Sequence, residues 1–326
     1  MATPLTCCSL LFLLLVPLNA MTQEKPLADY HEHLLSPAVA RILGQPKPFV
    51  ARDLIAEMDA AGIRRAMVLS LAYQFGNPNR SALKDEYTQV RTENDWTAEQ
   101  VKQFPDRLVA ICGVDPLREY ALSEIDRCSH NPYLRAGVKL HFGNSDVDLD
   151  NPAHVRKLRA VFRAADRHRM AIVVHMHPNL DHHRPYGAKE AQVFVTELLS
   201  AAPHIFVQVA HLAGSGGYDD PTTDAALSVF INAIAHHDPR VSRLYFDISG
   251  VAGLGDWTDK KQLIASRIRE IGVHRILFGS DSAWTSFTPL KAEAVFHELP
   301  LSSDEFNVVD ANAPPYMPRT IAPPLK

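Results

Sequence analysis

The residues that could do chemistry are mostly histidines, of which the chain has 16. His31 and His33 stand two apart in ADYHEH, so on an extended strand both point to the same side. Two imidazoles aimed into one cavity can hold one metal ion. The short runs further along carry more candidates: Lys139 and His141 in AGVKLHF, His175 and His177 in AIVVHMH, His211 in FVQVAHL, Asp247 in LYFDISG and Asp281 in RILFGSDSA. A third imidazole and a late carboxylate would complete a nitrogen and oxygen set suited to Zn²⁺ or another borderline cation. A single histidine at a strand end is ordinarily a hydrogen-bonded rim residue; the recurrence at matched positions points to a metal. GxSxG, Walker A, GxGxxG and HExxH patterns are all missing, which removes serine catalysis and nucleotide cofactors.

These residues need elements to carry them. Eight short apolar runs occur at 28–33, 66–72, 108–114, 136–142, 171–177, 206–212, 244–250 and 275–283. Each is nearly continuous in apolar side chains, as strands buried on both faces of a parallel sheet are. The stretches between them have helical periodicity. Residues 151–169 put Val155, Leu158, Val161, Phe162 and Ala165 on one stripe; 188–203 do the same with Val193, Phe194, Glu197 and Leu198 up to Pro203; 259–272 end at Gly272, a helix-capping residue. Eight strands with helices between predict a single-domain α/β fold, a (β/α)₈ TIM barrel, over 21–313. A doubly wound open sheet is the competitor. In such a barrel, catalytic groups sit at the carboxyl ends of the strands, where the histidines fall.

The 326 residues carry 33 Lys and Arg against 37 Asp and Glu, a net charge of −4, which argues against nucleic acid as a partner. With 46% hydrophobic and 21% charged residues the chain is globular in composition. Residues 1–20 have no charged side chain, an apolar run from Leu10 to Val16 and a small residue at Ala20, and read as a secretory signal peptide. The run is too short to span a bilayer, so the expected locale is secreted or periplasmic, with no membrane span in the mature chain. Cys7 and Cys8 would leave with the signal. Cys112 and Cys128 would remain; the sequence leaves their pairing open, and Cys112 in its apolar run reads as a buried core thiol. The Pro-rich tail, 314–326, reads as a strap or loose end.

The set DYHEH, GVKLH, VVHMHP, VAHLAG, LFGSD and ANA resembles the amidohydrolase superfamily. More narrowly, it is similar to the amidohydrolase-related group that includes aminocarboxymuconate-semialdehyde decarboxylase. The resemblance covers roughly residues 28–313. It implies that His31 and His33 are metal ligands, that His175 is the ligand from the fifth strand, and that Asp281 touches both metal and water. His211 would polarise substrate or move a proton. His177 shares the parity of His175; His175 is preferred as ligand because His177 precedes Pro178 and opens the loop. In two-metal members of the superfamily a lysine at the place of Lys139 is carboxylated and bridges the ions, with His211 on the second. One Zn²⁺ is favoured here over two. His141, His177 and Arg184 are candidate substrate contacts, Asp247 a residue that fixes hydrogen bonds at the mouth, and Gly214 to Gly217 a turn whose N–H groups could receive an anion. His182 and His183 fall in the loop after the fifth strand; His168, His236 and His237 fall at helix ends, where the dipole explains them.

A metal with an open position lowers the pKa of bound water from 15.7 to about 7. The resulting expectation is a metal-dependent hydrolase acting on an amide, lactone or ester of a small molecule. Non-oxidative decarboxylation on the same scaffold is the alternative, and a non-catalytic metal-binding or ligand-binding barrel a second one. Substrate identity is not legible, and a homodimer stays open.

Overall fold

Eight parallel strands form one sheet in sequence order: β1 (Ala28–Glu32), β2 (Arg65–Leu69), β3 (Leu108–Gly113), β4 (Gly137–His141), β5 (Ala171–His175), β6 (Val207–Val209), β7 (Leu244–Asp247) and β8 (Ile276–Leu277). The computed structural model describes residues 25–178, 184–218, 221–283 and 287–317. Every strand overlaps one predicted run. The unbroken order from β1 to β8 is that of a (β/α)₈ barrel in one domain and differs from a doubly wound sheet. β8 has only two residues, and its seam with β1 is closed by two backbone bonds: Tyr30 N donates to Phe278 O (2.9 Å), and Asp281 N to His31 O (2.8 Å). Gly279 makes that seam possible. A Cβ there would sit 2.8 Å from the Cβ of His31.

The helices follow the predicted stripes. Residues 151–169 form the helix Pro152–His168, capped by the Asn151 side chain, with Leu158, Val161, Phe162 and Ala165 buried and Val155 only partly so. The segment 188–203 departs from a regular helix. It starts as Ala188–Val193, widens to a π turn over Phe194–Leu198 and tightens to a 3₁₀ turn at Leu199–Ala201. The wide turn carries Phe194, Val195 and Leu198 into the core, while Glu197 stays at the surface and pairs with Arg159 at 2.7 Å. The helix Lys261–Ile271 ends at Gly272, whose φ of 95° favours glycine.

The barrel interior is apolar at one end and polar at the other. Ala28, Tyr30, Met67, Leu69, Val109, Ile111, Val173 and Leu277 fill its amino-terminal end, joined from below by Met317. The first residues of the Pro-rich tail are therefore a plug, and Tyr316 donates its hydroxyl to Gln208 Oε1 at 2.6 Å. Above that layer the inward positions become Lys139, His141, His175, Gln208 and Asp247. Registers match across the mouth: Lys139 lies beside Val173 and His141 beside His175.

β1 needs one irregularity to join this pattern. Asp29 pairs with Ala66 and Glu32 with Val68, so three steps along β1 match two along β2. The extra residue shifts the alternation. Tyr30 faces the apolar interior, and beyond the bulge His31 and His33 also face inward while Glu32 faces the other way.

Cys112 is not the free core thiol expected. It is bonded to Cys128, with Cα atoms 6.1 Å apart. Cys128, on the buried face of the helix Ala121–Ser129, meets Cys112 on β3, and both are fully buried. Among the described residues, no helix is long and apolar enough to cross a membrane. Residues 1–20, with Cys7 and Cys8, lie outside the described residues, as do His182, His183 and the tail beyond Met317. Cys128→Ser should lower stability by about 2–4 kcal/mol, since the bond closes a loop of moderate length. Urea unfolding with and without reductant checks this, and a midpoint insensitive to both changes would count against the bond.

Candidate metal centre at the barrel mouth

Three imidazoles at the mouth are each anchored through Nδ1. His31 Nδ1 donates to Asp247 Oδ2 (3.1 Å), His33 Nδ1 to Leu69 O (2.6 Å), and His211 Nδ1 to Ser249 O (2.7 Å). Such a bond fixes the tautomer and turns the Nε2 lone pair away from its anchor, which is how metal-binding histidines are held. Burial, with neighbouring positive charge from Lys139 and other imidazoles, holds His33, His141 and His175 well below the usual histidine pKa. His211 is lowered to about 4, mainly by burial and by His31. These rings are neutral near pH 7, the state that can ligate a cation.

Asp281 completes the first cluster. Its Oδ1 lies 3.6 Å from His33 Nε2 and is buried with no hydrogen-bond partner among the described residues. Single ligand atoms of His31, His33 and Asp281 all fall within 4.8 Å of one another, as do those of His31, His211 and Asp247. His175 lines the same cavity and leaves a buried Nε2 unpartnered, but joins neither close trio. Its ring stacks on His141 at 4.0 Å and lies 4.9 Å from His211. Buried lone pairs and a carboxylate oxygen without donors are costly unless something supplies positive charge. The donor set fits a divalent cation.

Asp281 and His211 both sit on unusual backbone. Asp281 has φ 56°, and His211, Leu212 and Ala213 have φ 55°, 49° and 67° in succession. Non-glycine residues in that region cost on the order of 1–3 kcal/mol each, and such strain gathers at functional sites. The left-handed turn brings His211 N to Asp247 Oδ1 at 3.0 Å. Asp247 is the hub of the mouth. It accepts from His31, from Gln208 Nε2 (2.6 Å), from the His211 backbone and from Ser249 Oγ (2.5 Å). Burial pushes its carboxyl up, yet the His31 and His211 rings and these bonds hold it well below the usual carboxylate range. Fixing hydrogen bonds at the mouth is the part expected of it.

Lys139 is buried under the histidines, its Nζ donating to His31 Nε2 at 3.2 Å. Burial lowers its pKa to about 8, against the pull of Asp281 and Asp247. His141 is oriented the other way from the anchored rings. Its Nδ1 accepts the Asn144 N–H at 3.1 Å, so in the neutral ring the proton sits on Nε2. It lines the cavity as a donor.

The remaining candidates separate clearly. His177 is buried against the Tyr186 ring at 4.2 Å and does not line the cavity, whereas His175 does. Arg184 reaches Asp146 at 2.7 Å and Asp148 at 3.2 Å, also away from the cavity. Ser215 and Gly216 of the glycine-rich turn do line it. His168 pairs with Asp126 at 3.4 Å, and His236 donates to Asn232 O, both outside the mouth. The cavity holds about 220 Å³ and is completed by Tyr73, Gln74, Asn144, Leu254 and Phe287. Sequence reasoning missed all five, and Ser249 and Gln208 as well. Tyr73 and Gln74 lie just past the β2 run, a place the barrel rule could have flagged. Leu254 and Phe287 lie in segments without periodicity.

The amidohydrolase family model matches residues 28–307. The chain therefore belongs to the amidohydrolase family, a group of enzymes on this barrel. No curated protein matches it by sequence. Among solved structures, it resembles 5-carboxyvanillate decarboxylase from Sphingomonas paucimobilis at 15% identity, covering 88% of this chain and 97% of that one with a TM-score of 0.62. A probable 2-pyrone-4,6-dicarboxylic acid hydrolase from Acinetobacter baumannii, with citric acid bound, aligns at 17% identity over 87% and 96% with a TM-score of 0.58. An amidohydrolase from Burkholderia multivorans with bound zinc aligns at 13% over 88% and 96%, also at 0.58.

Removing the hub should unsettle the whole mouth. Asp247→Ala is expected to cost about 3–5 kcal/mol, the range for breaking a buried charged network. Chemical denaturation measures it, and a loss under about 1 kcal/mol, the worth of a single exposed pair, would show that Asp247 is not the hub.

Proposed function

We propose that the chain is a metal-dependent hydrolase that cleaves a C–N or C–O bond of a small molecule, an amide, lactone or ester, using one divalent ion, Zn²⁺. His31, His33 and Asp281 would hold it, with His175 as the fourth ligand. The observation that carries this reading is the unpartnered Asp281 Oδ1 facing imidazoles whose Nδ1 atoms are already committed. When bound, the ion supplies Lewis acidity and acidifies a water molecule.

The chain's own residues do the rest. Asp281 accepts the proton of the attacking water and passes it to the leaving group. His211 has its Nδ1–H committed to Ser249 O, so its neutral ring presents a lone pair. It accepts a proton before it can give one, which suits the proton-moving role and not the polarising of a substrate oxygen. That task falls to His141, whose Nε2–H is a fixed donor at the cavity wall. Lys139 contributes positive charge beneath. In the two-ion arrangement Lys139 would be carboxylated and His211 would ligate the second ion.

Decarboxylation is the second reading, supported by the likeness to proteins named as decarboxylases of carboxyvanillate and dihydroxybenzoate. There the same groups would deliver a proton to carbon as CO₂ leaves. A screen of small carboxylates with CO₂ detection, beside one of lactones and amides, separates the two. CO₂ without hydrolysis would sink the hydrolase.

We also infer that residues 1–20 direct export and are removed in an oxidising compartment, a reading the Cys112–Cys128 bond supports. Intact mass of protein recovered from the periplasm or medium checks the cleavage.

Metal counting decides the centre. His31→Ala should weaken metal binding by at least about 10–100-fold, the cost of losing even a supporting partner. His211→Ala should keep one equivalent of metal while turnover falls. A drop from two equivalents toward one would establish the two-ion arrangement instead.

A further inference from the structure

The glutamate between the two metal-site histidines has no part in the chemistry above, yet it is fully buried. The β1 bulge turns Glu32 away from the mouth and toward the seam with β8. There its carboxyl takes the Ser280 hydroxyl on Oε1, and the Ser282 hydroxyl at 3.1 Å from Oε1 and 3.0 Å from Oε2. Ser280 and Ser282 are the two neighbours of Asp281. The segment needs such a hold. β8 ends at Leu277, so no sheet ladder reaches Asp281, and its φ of 56° is one that aspartate rarely adopts. Asp29 adds a second tie, its Oδ1 accepting the backbone N–H of His31 (3.0 Å) and of Ser280 (3.2 Å). Asp281 N itself donates to His31 O. The serine bonds to Glu32 and the Asp281 N–H bond join the HEH segment directly to the SDS segment, and Asp29 links the two through one oxygen.

The geometry points to Glu32 as a positioning residue: by clamping Ser280 and Ser282 it sets the distance of the Asp281 carboxylate from His31 and His33, and with it the affinity of the site for a divalent cation. The proposal rests on the metal-centre reading above. It makes HEH and SDS one interlocked device, in which the inward residues meet the ion and the outward residue holds them in register. A methyl or leucine side chain at 32 would take the acceptor from Ser280, leave Ser282 only a long 3.4 Å bond to Glu57 Oε2, and so loosen the hold on Asp281. Glutamine keeps an acceptor of the same reach.

The test uses the full-length mature protein, stripped of metal, with Zn²⁺ and Co²⁺ as probes. Zn²⁺ affinity is read by competition with a chromogenic chelator, ligand geometry by the visible bands of the Co²⁺ form, and folding by thermal unfolding of the metal-free protein. Glu32→Leu should weaken Zn²⁺ binding about 10–100-fold, as loss of an outer partner does, and shift the Co²⁺ bands. Glu32→Gln should stay close to wild type in both. Ser280→Ala/Ser282→Ala, which leaves the carboxyl in place, should reproduce the leucine variant and decides the matter if that variant does not fold. Unchanged affinity and bands in the serine pair, or in a folded Glu32→Leu, overturn the clamp even if thermal stability falls. A wild type that binds neither ion overturns the metal centre itself, a different failure from variants that bind as the wild type does.

Discussion

The mouth of this barrel depends on one extra residue in β1. A strand alternates strictly, and Ala28 and Tyr30 already occupy inward positions in the apolar layer. With unbroken alternation His31 and His33 would share the face of Asp29 and point at the surrounding helices. The bulge between Asp29 and Glu32 resets the phase. It lets one strand supply an apolar residue to the plug and, one step later, an imidazole to the polar end. It also sends Glu32 outward to the β8 seam, where no ladder holds the chain. The same irregularity thus places two candidate ligands and the residue that steadies a third.

Around that constraint the mouth is organised in two layers. The upper layer presents lone pairs and a carboxylate oxygen. The lower layer, Asp247, Ser249, Gln208, Leu69 O and Lys139, supplies the donors and acceptors that fix which atom each ring presents. Neutral imidazoles, lowered by burial, are ready for a cation at neutral pH. His141 is the exception in orientation: its Nδ1 accepts the Asn144 N–H, so its neutral ring presents a donor where the anchored rings present lone pairs.

The fold was legible because its signal is repetitive. Eight apolar runs at similar spacing need no detail to be read as a barrel, and His31, His33, Lys139, His175, His211 and Asp281 all lie at strand ends where that architecture puts function. The parity argument for His31 and His33 reached the right pairing without the bulge, which leaves no mark in composition. Choosing His175 over His177 rested on where the apolar run stops, and the two rings do end up in different surroundings. Arg184 could not be placed because its partners, Asp146 and Asp148, come from another loop. The disulfide was hidden for a similar reason. Pairing depends on how a helix lies on β3, and two isolated cysteines carry no pattern. Tyr73, Gln74, Leu254 and Phe287 line the cavity from segments whose course no periodicity encodes.

The tail beneath the barrel gives the molecule an unexpected connection between its ends. Tyr316 bonds to Gln208, Gln208 to Asp247, and Asp247 to His31. The floor and the rim are thus wired through the middle by four side chains. A protease nick upstream of Tyr316, or a fusion partner that drags the strap out, would be felt by the imidazole at the opposite pole. For a chain of this family, trimming the carboxyl end would amount to retuning the centre from behind.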